Sequence, residues 1–182
     1  MFLDRDGVLN RALVRGGQPH PPSEPGELDL EPGASEACDL LAAAGLPLVV
    51  FTNQPDVARG TTDRLAVEEI NDALRAALPL TAVYTCFHDD ADACHCRKPK
   101  PGLLLDAARD LDLDLRRSVA VGDRWRDVEA GRAAGCATVF INHGYAERRP
   151  TDPDLVAGSL REAVSWILAR VNAATIEPGG QE

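Results

Sequence analysis

Short apolar runs that stop at polar residues constrain this chain more than anything else in it. Met1-Phe2-Leu3 stops at Asp4, Leu46 to Phe51 at Thr52-Asn53-Gln54, Thr81 to Thr85 at Cys86, and Ser118 to Val121 at Gly122-Asp123, with Ala137 to Ile141 as a fifth run. The unbroken LPLVVF stretch is typical of a strand buried on both faces. Helical patterns lie between the runs. One opens at Pro32-Gly33 and runs to about Ala44, with Leu40 and Leu41 on its apolar face and Gly45 as its stop. The next spans about Asp63 to Ala77, capped by Thr61 or Thr62, with Leu65, Ile70 and Leu74 inward. Two more cover Pro99 to Asp112 and Trp125 to Ala134, and a capping box at Ser159 to Glu162 opens a last one to about Val171. Strands alternating with helices predict an α/β protein with a Rossmann-like, doubly wound parallel sheet and helices on both faces. A length of 182 residues fits one domain over 1–172, with 173–182 as a disordered tail. Residues 11–31, rich in Gly and Pro, read as a long loop lying over whatever the strand ends hold.

Charge and cysteine usage narrow the function classes. A net charge of −10 argues against a nucleic-acid partner, which needs a basic footprint. No apolar run approaches the roughly 20 residues of a membrane span, and no signal peptide is legible. The cysteines do not look like a disulfide frame, so the expectation is a cytoplasmic protein, monomeric by default.

The first run ends in Asp4-Arg5-Asp6-Gly7. In extended chain Asp4 and Asp6 share a direction, and neighbouring carboxylates repel unless a cation sits between them or one holds a proton. Both outcomes are useful chemically: a seat for Mg²⁺, and a nucleophile beside an acid/base. In a parallel sheet, Asp4 and Asp6, Thr52 and Asp123 fall on one edge, the edge where such sheets bind ligands, and Lys98 opens the helix of a neighbouring unit. Residues 86–97 (CFHDDADACHCR) carry no secondary-structure pattern. Cys86, His88, Cys94 and Cys96 form a tetrahedral Zn²⁺ set with no open position, which makes the zinc structural. His95 is an alternative ligand, while Cys38 and Cys136 read as packed thiols.

These residues resemble the haloacid dehalogenase (HAD) superfamily of phosphohydrolases over roughly residues 1–170. The matching motifs are Asp4-x-Asp6-Gly7, Thr52, Lys98, and Gly122-Asp123 with Asp127. The resemblance implies that Asp4 is the nucleophile and Asp6 the acid/base. It implies that Thr52 and Lys98 meet the phosphoryl group. It places Mg²⁺ on Asp4, Asp6 (through its carbonyl) and Asp123, with Asp127 just behind. Asp127 reads equally well as a helix-surface carboxylate.

The zinc loop before Arg97-Lys98-Pro99-Lys100-Pro101-Gly102, and Asn53-Gln54 leading to Arg59-Gly60, are similar to the heptose-bisphosphate phosphatase branch. That branch has no large cap domain and takes a small phosphorylated sugar. The resemblance assigns substrate contacts to Asn53, Gln54, Arg59, Arg97 and Arg124. Pro55-Asp56 departs from the branch, which has Ser-Gly there. The rival readings are a histidinol-phosphate phosphatase, a phosphoacceptor receiver and a zinc-stabilised binding module.

Overall fold

The computed structural model describes residues 1–176. Six parallel strands form the main sheet: β1 (Phe2–Leu3), β4 (Val49–Asn53), β5 (Ala82–Cys86), β6 (Val119–Gly122), β7 (Ala137–Ile141) and β8 (Leu155–Ala157). Their spatial order is β5-β4-β1-β6-β7-β8. The chain builds outward from β1 in one direction and then returns to its other side. The order therefore reverses between β1 and β6, and a crevice opens beyond their carboxyl ends. Asp4 follows β1 and Asp123 follows β6.

Side-chain alternation sends the apolar residues to two faces. Leu3, Val50, Val121 and Val139 pack with Leu41 of α1 (Ala34–Ala43), Leu74 of α2 (Arg64–Ala77) and Ile167 of α5 (Leu160–Ile176). Phe2, Val49, Phe51 and Ala120 pack with Leu104 and Ala107 of α3 (Gly102–Asp110) and Ala130 of α4 (Trp125–Ala134). Burial of this kind stabilises by about 25 cal/mol per Å² of apolar surface.

The structure corrects several sequence expectations. The 11–31 loop contains a hairpin, β2 (Leu13–Arg15) and β3 (Gln18–His20). Gly16 (φ 58°) and Gly17 (φ 77°) form its turn, the left-handed pair that suits a two-residue hairpin. β8 was not expected; it holds its edge through Asp154, whose carboxylate accepts from the Thr138 amide and hydroxyl at 2.8 and 2.9 Å. Leu40 and Leu65, expected inward, are 40% and 65% exposed, so the apolar stripes of α1 and α2 are narrower than read. Asp63, not Thr61 or Thr62, precedes α2. A short 3-10 turn, Asp90–Asp92, interrupts the zinc loop. The last helix continues to Ile176, past its expected end at about Val171 and into the expected tail from 173, because nothing in residues 173–176 breaks it. Residues 177–182 of the expected tail lie outside the described residues.

Candidate active site

The crevice gathers side chains from the ends of β1, β4 and β6, and Lys98 from the segment before α3. Lys98, 2% exposed, sets its Nζ 2.8 Å from Asp4 Oδ1, 2.5 Å from Asp127 Oδ1 and 3.0 Å from the Phe51 carbonyl. Asn53 grips the Lys98 backbone from both sides: Oδ1 accepts from the Lys98 amide at 3.1 Å, and Nδ2 donates to the Lys98 carbonyl at 3.2 Å. Asp127, the third residue of α4, accepts the Arg124 amide on Oδ2 at 2.9 Å and so caps its own helix. Gly122 lies against Asp127: a Cβ there would overlap its carboxylate. Gly7 has φ 80° and lies against Asp123 in the same way. Both glycines of the motifs are thus set by close approach.

The electrostatics of this cluster are unbalanced. Asp4, Asp123 and Asp127 are all buried, with ligand oxygens within 4.8 Å of one another. Burial first, and then the Asp127 charge, push the Asp4 carboxyl up to about 7, while Lys98 pulls the other way. Burial, with Asp4 and Asp127 adding to it, holds Asp123 well above the usual carboxylate range. Burial alone would lower Lys98, but the carboxylates of Asp127 and Asp4 outweigh it and hold its ammonium above the ordinary lysine value. Fully ionised, three carboxylates against one ammonium would leave two negative charges, which is why the free cluster holds protons. Both oxygens of Asp123 are buried without a well-formed hydrogen bond, the Tyr145 hydroxyl facing the carboxylate without satisfying it. A buried carboxylate in that condition is costly unless a cation meets it. The donor set is all oxygen, which suits a hard divalent ion such as Mg²⁺.

Asp6 lies beside this cluster rather than within it. Its oxygens accept from Asn10 Nδ2 (3.0 Å), Gln54 Nε2 (2.8 Å) and the Arg5 guanidinium (3.2 Å). Gln54 also donates to Thr52 Oγ1 at 2.9 Å. Gln54, expected at the substrate, is therefore turned inward and orders Asp6 and Thr52.

The open cleft, of about 410 Å³, is lined by Asp4, Asp6, Thr52, Asn53, Lys98 and Asp123 at its floor. Arg59, Arg97 and Arg124 form part of its wall, and the β2–β3 hairpin contributes Arg15 and His20. Carboxylates already hold the three wall arginines. Arg59 pairs with Asp89 at 2.8 Å and Asp56 at 3.2 Å. Arg97 pairs with Asp90 at 2.7 Å, and Arg124 with Glu147 at 2.6 Å. Asp56, the departure from the expected Ser-Gly, is therefore an ion-pair partner at the rim. The 142–149 loop had given no sequence signal beyond its end of strand. It carries Glu147, sets His143 Nε2 2.7 Å from the Gly7 carbonyl, and faces Tyr145 toward Asp123.

Next to the cleft, Cys86, His88, Cys94 and Cys96 converge as expected. Their sulfurs are 3.2, 3.5 and 3.8 Å apart, with His88 Nδ1 at 3.4 Å from Cys96 and 3.6 Å from Cys86. A tetrahedral zinc site with metal–sulfur bonds of about 2.3 Å has edges near 3.7 Å. Burial, reinforced by Cys86 and Cys94, holds the Cys96 thiol above its usual range, and burial raises Cys86 as well, so these two sulfurs ionise readily only beside a cation. His95, the alternative ligand, instead pairs with Asp106 at 2.9 Å.

With this geometry in hand, known proteins are informative. The HAD-hydrolase-like family model matches residues 95–163. The chain is 35% identical over 167 residues to the D-glycero-beta-D-manno-heptose-1,7-bisphosphate 7-phosphatase of Bordetella bronchiseptica, covering 87% of this chain and 89% of that one. It is 34% identical over 193 residues to the D-glycero-D-manno-heptose-1,7-bisphosphate 7-phosphatase of Thermosynechococcus vestitus, covering 92% and 94%. The crystal structure of the D,D-heptose 1,7-bisphosphate phosphatase from B. bronchiseptica, complexed with magnesium and phosphate, superposes with a TM-score of 0.76 at 32% identity. That match covers 93% of this chain and 97% of the other.

Proposed function

The chain belongs to the HAD-like hydrolases, in the family of the heptose-bisphosphate phosphatases, and from that premise we propose that it hydrolyses the 7-phosphate of D-glycero-D-manno-heptose 1,7-bisphosphate through an aspartyl phosphate on Asp4. As a member of that family it is a phosphoric monoester hydrolase. The buried, unsatisfied Asp123 beside Asp4 and Lys98 is the observation that carries the mechanism.

In the first half-reaction an Asp4 oxygen attacks phosphorus, and the bond to the sugar O7 breaks. Asp6 gives its proton to that leaving oxygen, which departs as an alcohol. In the second, Asp6 takes a proton from water as the water attacks the phosphoryl group. Inorganic phosphate leaves, and Asp4 regains its carboxylate. Lys98 holds Asp4 and offsets charge between it and the phosphoryl oxygens, and the Thr52 hydroxyl donates to one of them. Phosphoryl transfer depends on this positioning and neutralisation rather than on covalent help elsewhere.

Mg²⁺ would be held by Asp4, Asp123 and the Asp6 carbonyl, with Asp127 behind; it supplies the charge that lets two anions meet. Zn²⁺ would sit on Cys86, His88, Cys94 and Cys96, as a structural ion that fixes the wall carrying Arg97. The wall arginines of the cleft face the sugar and its second phosphate. No helix among the described residues is long and apolar enough to cross a membrane.

The test is phosphate release from heptose 1,7-bisphosphate, with histidinol phosphate alongside it. Wild-type protein turns over the heptose bisphosphate preferentially. Asp4→Asn loses on the order of 10⁴-fold in kcat or more while its melting temperature holds. Substantial residual turnover in that variant contradicts the nucleophile, and a preference for histidinol phosphate contradicts the substrate.

A further inference from the structure

Arg5 separates the two aspartates in the sequence, yet its side chain is the largest of the fully buried ones among the described residues, with no exposure at all. A guanidinium so enclosed needs its donors met, and the partners are specific. Nε lies 3.2 and 3.3 Å from the two Asp6 oxygens, and Nη2 lies 3.2 Å from Oδ2. Nη1 donates to Asn71 Oδ1 at 3.0 Å. Asn71 is 4% exposed and sits on the inward stripe of α2 with Val67, Ile70 and Leu74, where packing alone favours an apolar residue. Its Nδ2 donates in turn to Thr85 Oγ1 on β5 at 3.2 Å. A line of side chains therefore runs from β5 through α2 and Arg5 to Asp6. Asp6 itself keeps 16% of its side chain exposed, toward the cleft it lines.

We infer that Arg5 is a positioning residue for the proton-transfer group: it holds the Asp6 carboxylate through Nε and Nη2, while Asn71 fixes the plane of the guanidinium from α2. The inference rests on the reading of Asp6 as the acid/base. An acid must stand within hydrogen-bond reach of the leaving oxygen, and the planar arginine fork sets the carboxylate's direction in a way a lysine point charge does not. The consequence falls on proton transfer and not on substrate affinity. An alkoxide leaving group needs the Asp6 proton, whereas p-nitrophenolate departs without one.

The experiment compares the magnesium-loaded enzyme on heptose 1,7-bisphosphate and on p-nitrophenyl phosphate, following the first turnover of each. Asp6→Asn sets the benchmark: sugar-phosphate cleavage falls steeply while first-turnover p-nitrophenolate release persists. Arg5→Met is expected to lose about 10²-fold in kcat on the sugar phosphate, with KM within about threefold and p-nitrophenolate release nearly intact. Arg5→Lys falls between it and wild type. Asn71→Leu, which leaves Arg5 in place and suits the apolar stripe, shows the same selective loss at about 5- to 10-fold. Should Arg5→Met fail to fold, Asn71→Leu and Arg5→Lys decide. An equal loss on both substrates, or a loss confined to KM, in a folded variant overturns the positioning role. If Asp6→Asn itself lacks leaving-group selectivity, the acid/base reading fails and this inference falls with it.

Discussion

Three buried carboxylates sharing one ammonium make the floor of the cleft sensitive to both protons and metal. Asp4 is pushed up to about 7 by burial and by Asp127, and Asp123 is raised in the same direction. A carboxyl raised in the folded protein keeps a proton there that the unfolded chain has already released. Between about pH 4 and 7 the folded state thus binds more protons, and the stability of the metal-free protein falls as pH rises through that window. Magnesium offsets the cost of burying these charges and, with it, the repulsion among them. The expected result is a larger magnesium-induced rise in Tm at about pH 7.5 than at about pH 5, read by calorimetry. Equal shifts at both pH values contradict the charge balance drawn for Asp4, Asp123 and Asp127. These residues were legible in the sequence because strand polarity brings strand-end side chains to one edge wherever they lie along the chain. Arg5 and Asn71 were not. An arginine between two aspartates reads as a solvated charge until α2 is known to cover it, although a lone Asn on the stripe Val67, Ile70, Leu74 was a signal that could have been followed. Gln54 misled for the opposite reason: it follows Thr52 at a strand end, yet the chain turns it back onto Asp6.

At the scale of elements, two segments with little regular structure shape the cleft. The β2–β3 hairpin docks on the 142–149 loop through the Ala146 amide to the Gly17 carbonyl at 3.0 Å, and through Gln18 Nε2 to the Ala146 carbonyl at 2.6 Å. Its strands are three residues each, with Pro19 in one of them, so periodicity could not detect it; the Gly16-Gly17 pair was the usable sign. The zinc loop was legible because soft ligands at short spacing have few other uses, although its carboxylates were not. Asp89 and Asp90 turn out to hold Arg59 and Arg97, and Asp89 is itself drawn down to about 2 by Arg59 and the Asp90 amide. Chelating the zinc is expected to lower Tm by about 5–10 °C, since such a loop has little core of its own. Magnesium affinity, set by strand ends outside the loop, should stay within about threefold, with kcat/KM falling as Arg97 loses its support. An unchanged Tm after zinc removal contradicts a structural ion.

For the whole molecule, the sheet order decides where chemistry can occur. Because the winding reverses between β1 and β6, the crevice opens at the ends of those strands, and Asp4 and Asp123 occupy its two sides. The same order explains why β8 escaped sequence reading. An outer strand needs only a few paired residues and one anchor, which Asp154 supplies through Thr138. Among the described residues, the larger apolar side chains left exposed are Val14, Leu40, Leu65, Leu105 and Val156. They lie on β2, α1, α2, α3 and β8, no two on one element. Stable self-association needs a contiguous apolar patch of several hundred Å² or more. A net charge of −10 adds repulsion between copies at low salt. Sedimentation equilibrium in the micromolar range should therefore return the 19.5 kDa monomer mass, with kcat independent of protein concentration. A dimer mass together with concentration-dependent kcat would mean that a second chain completes the cleft, and would displace the hairpin and the 142–149 loop as its outer wall.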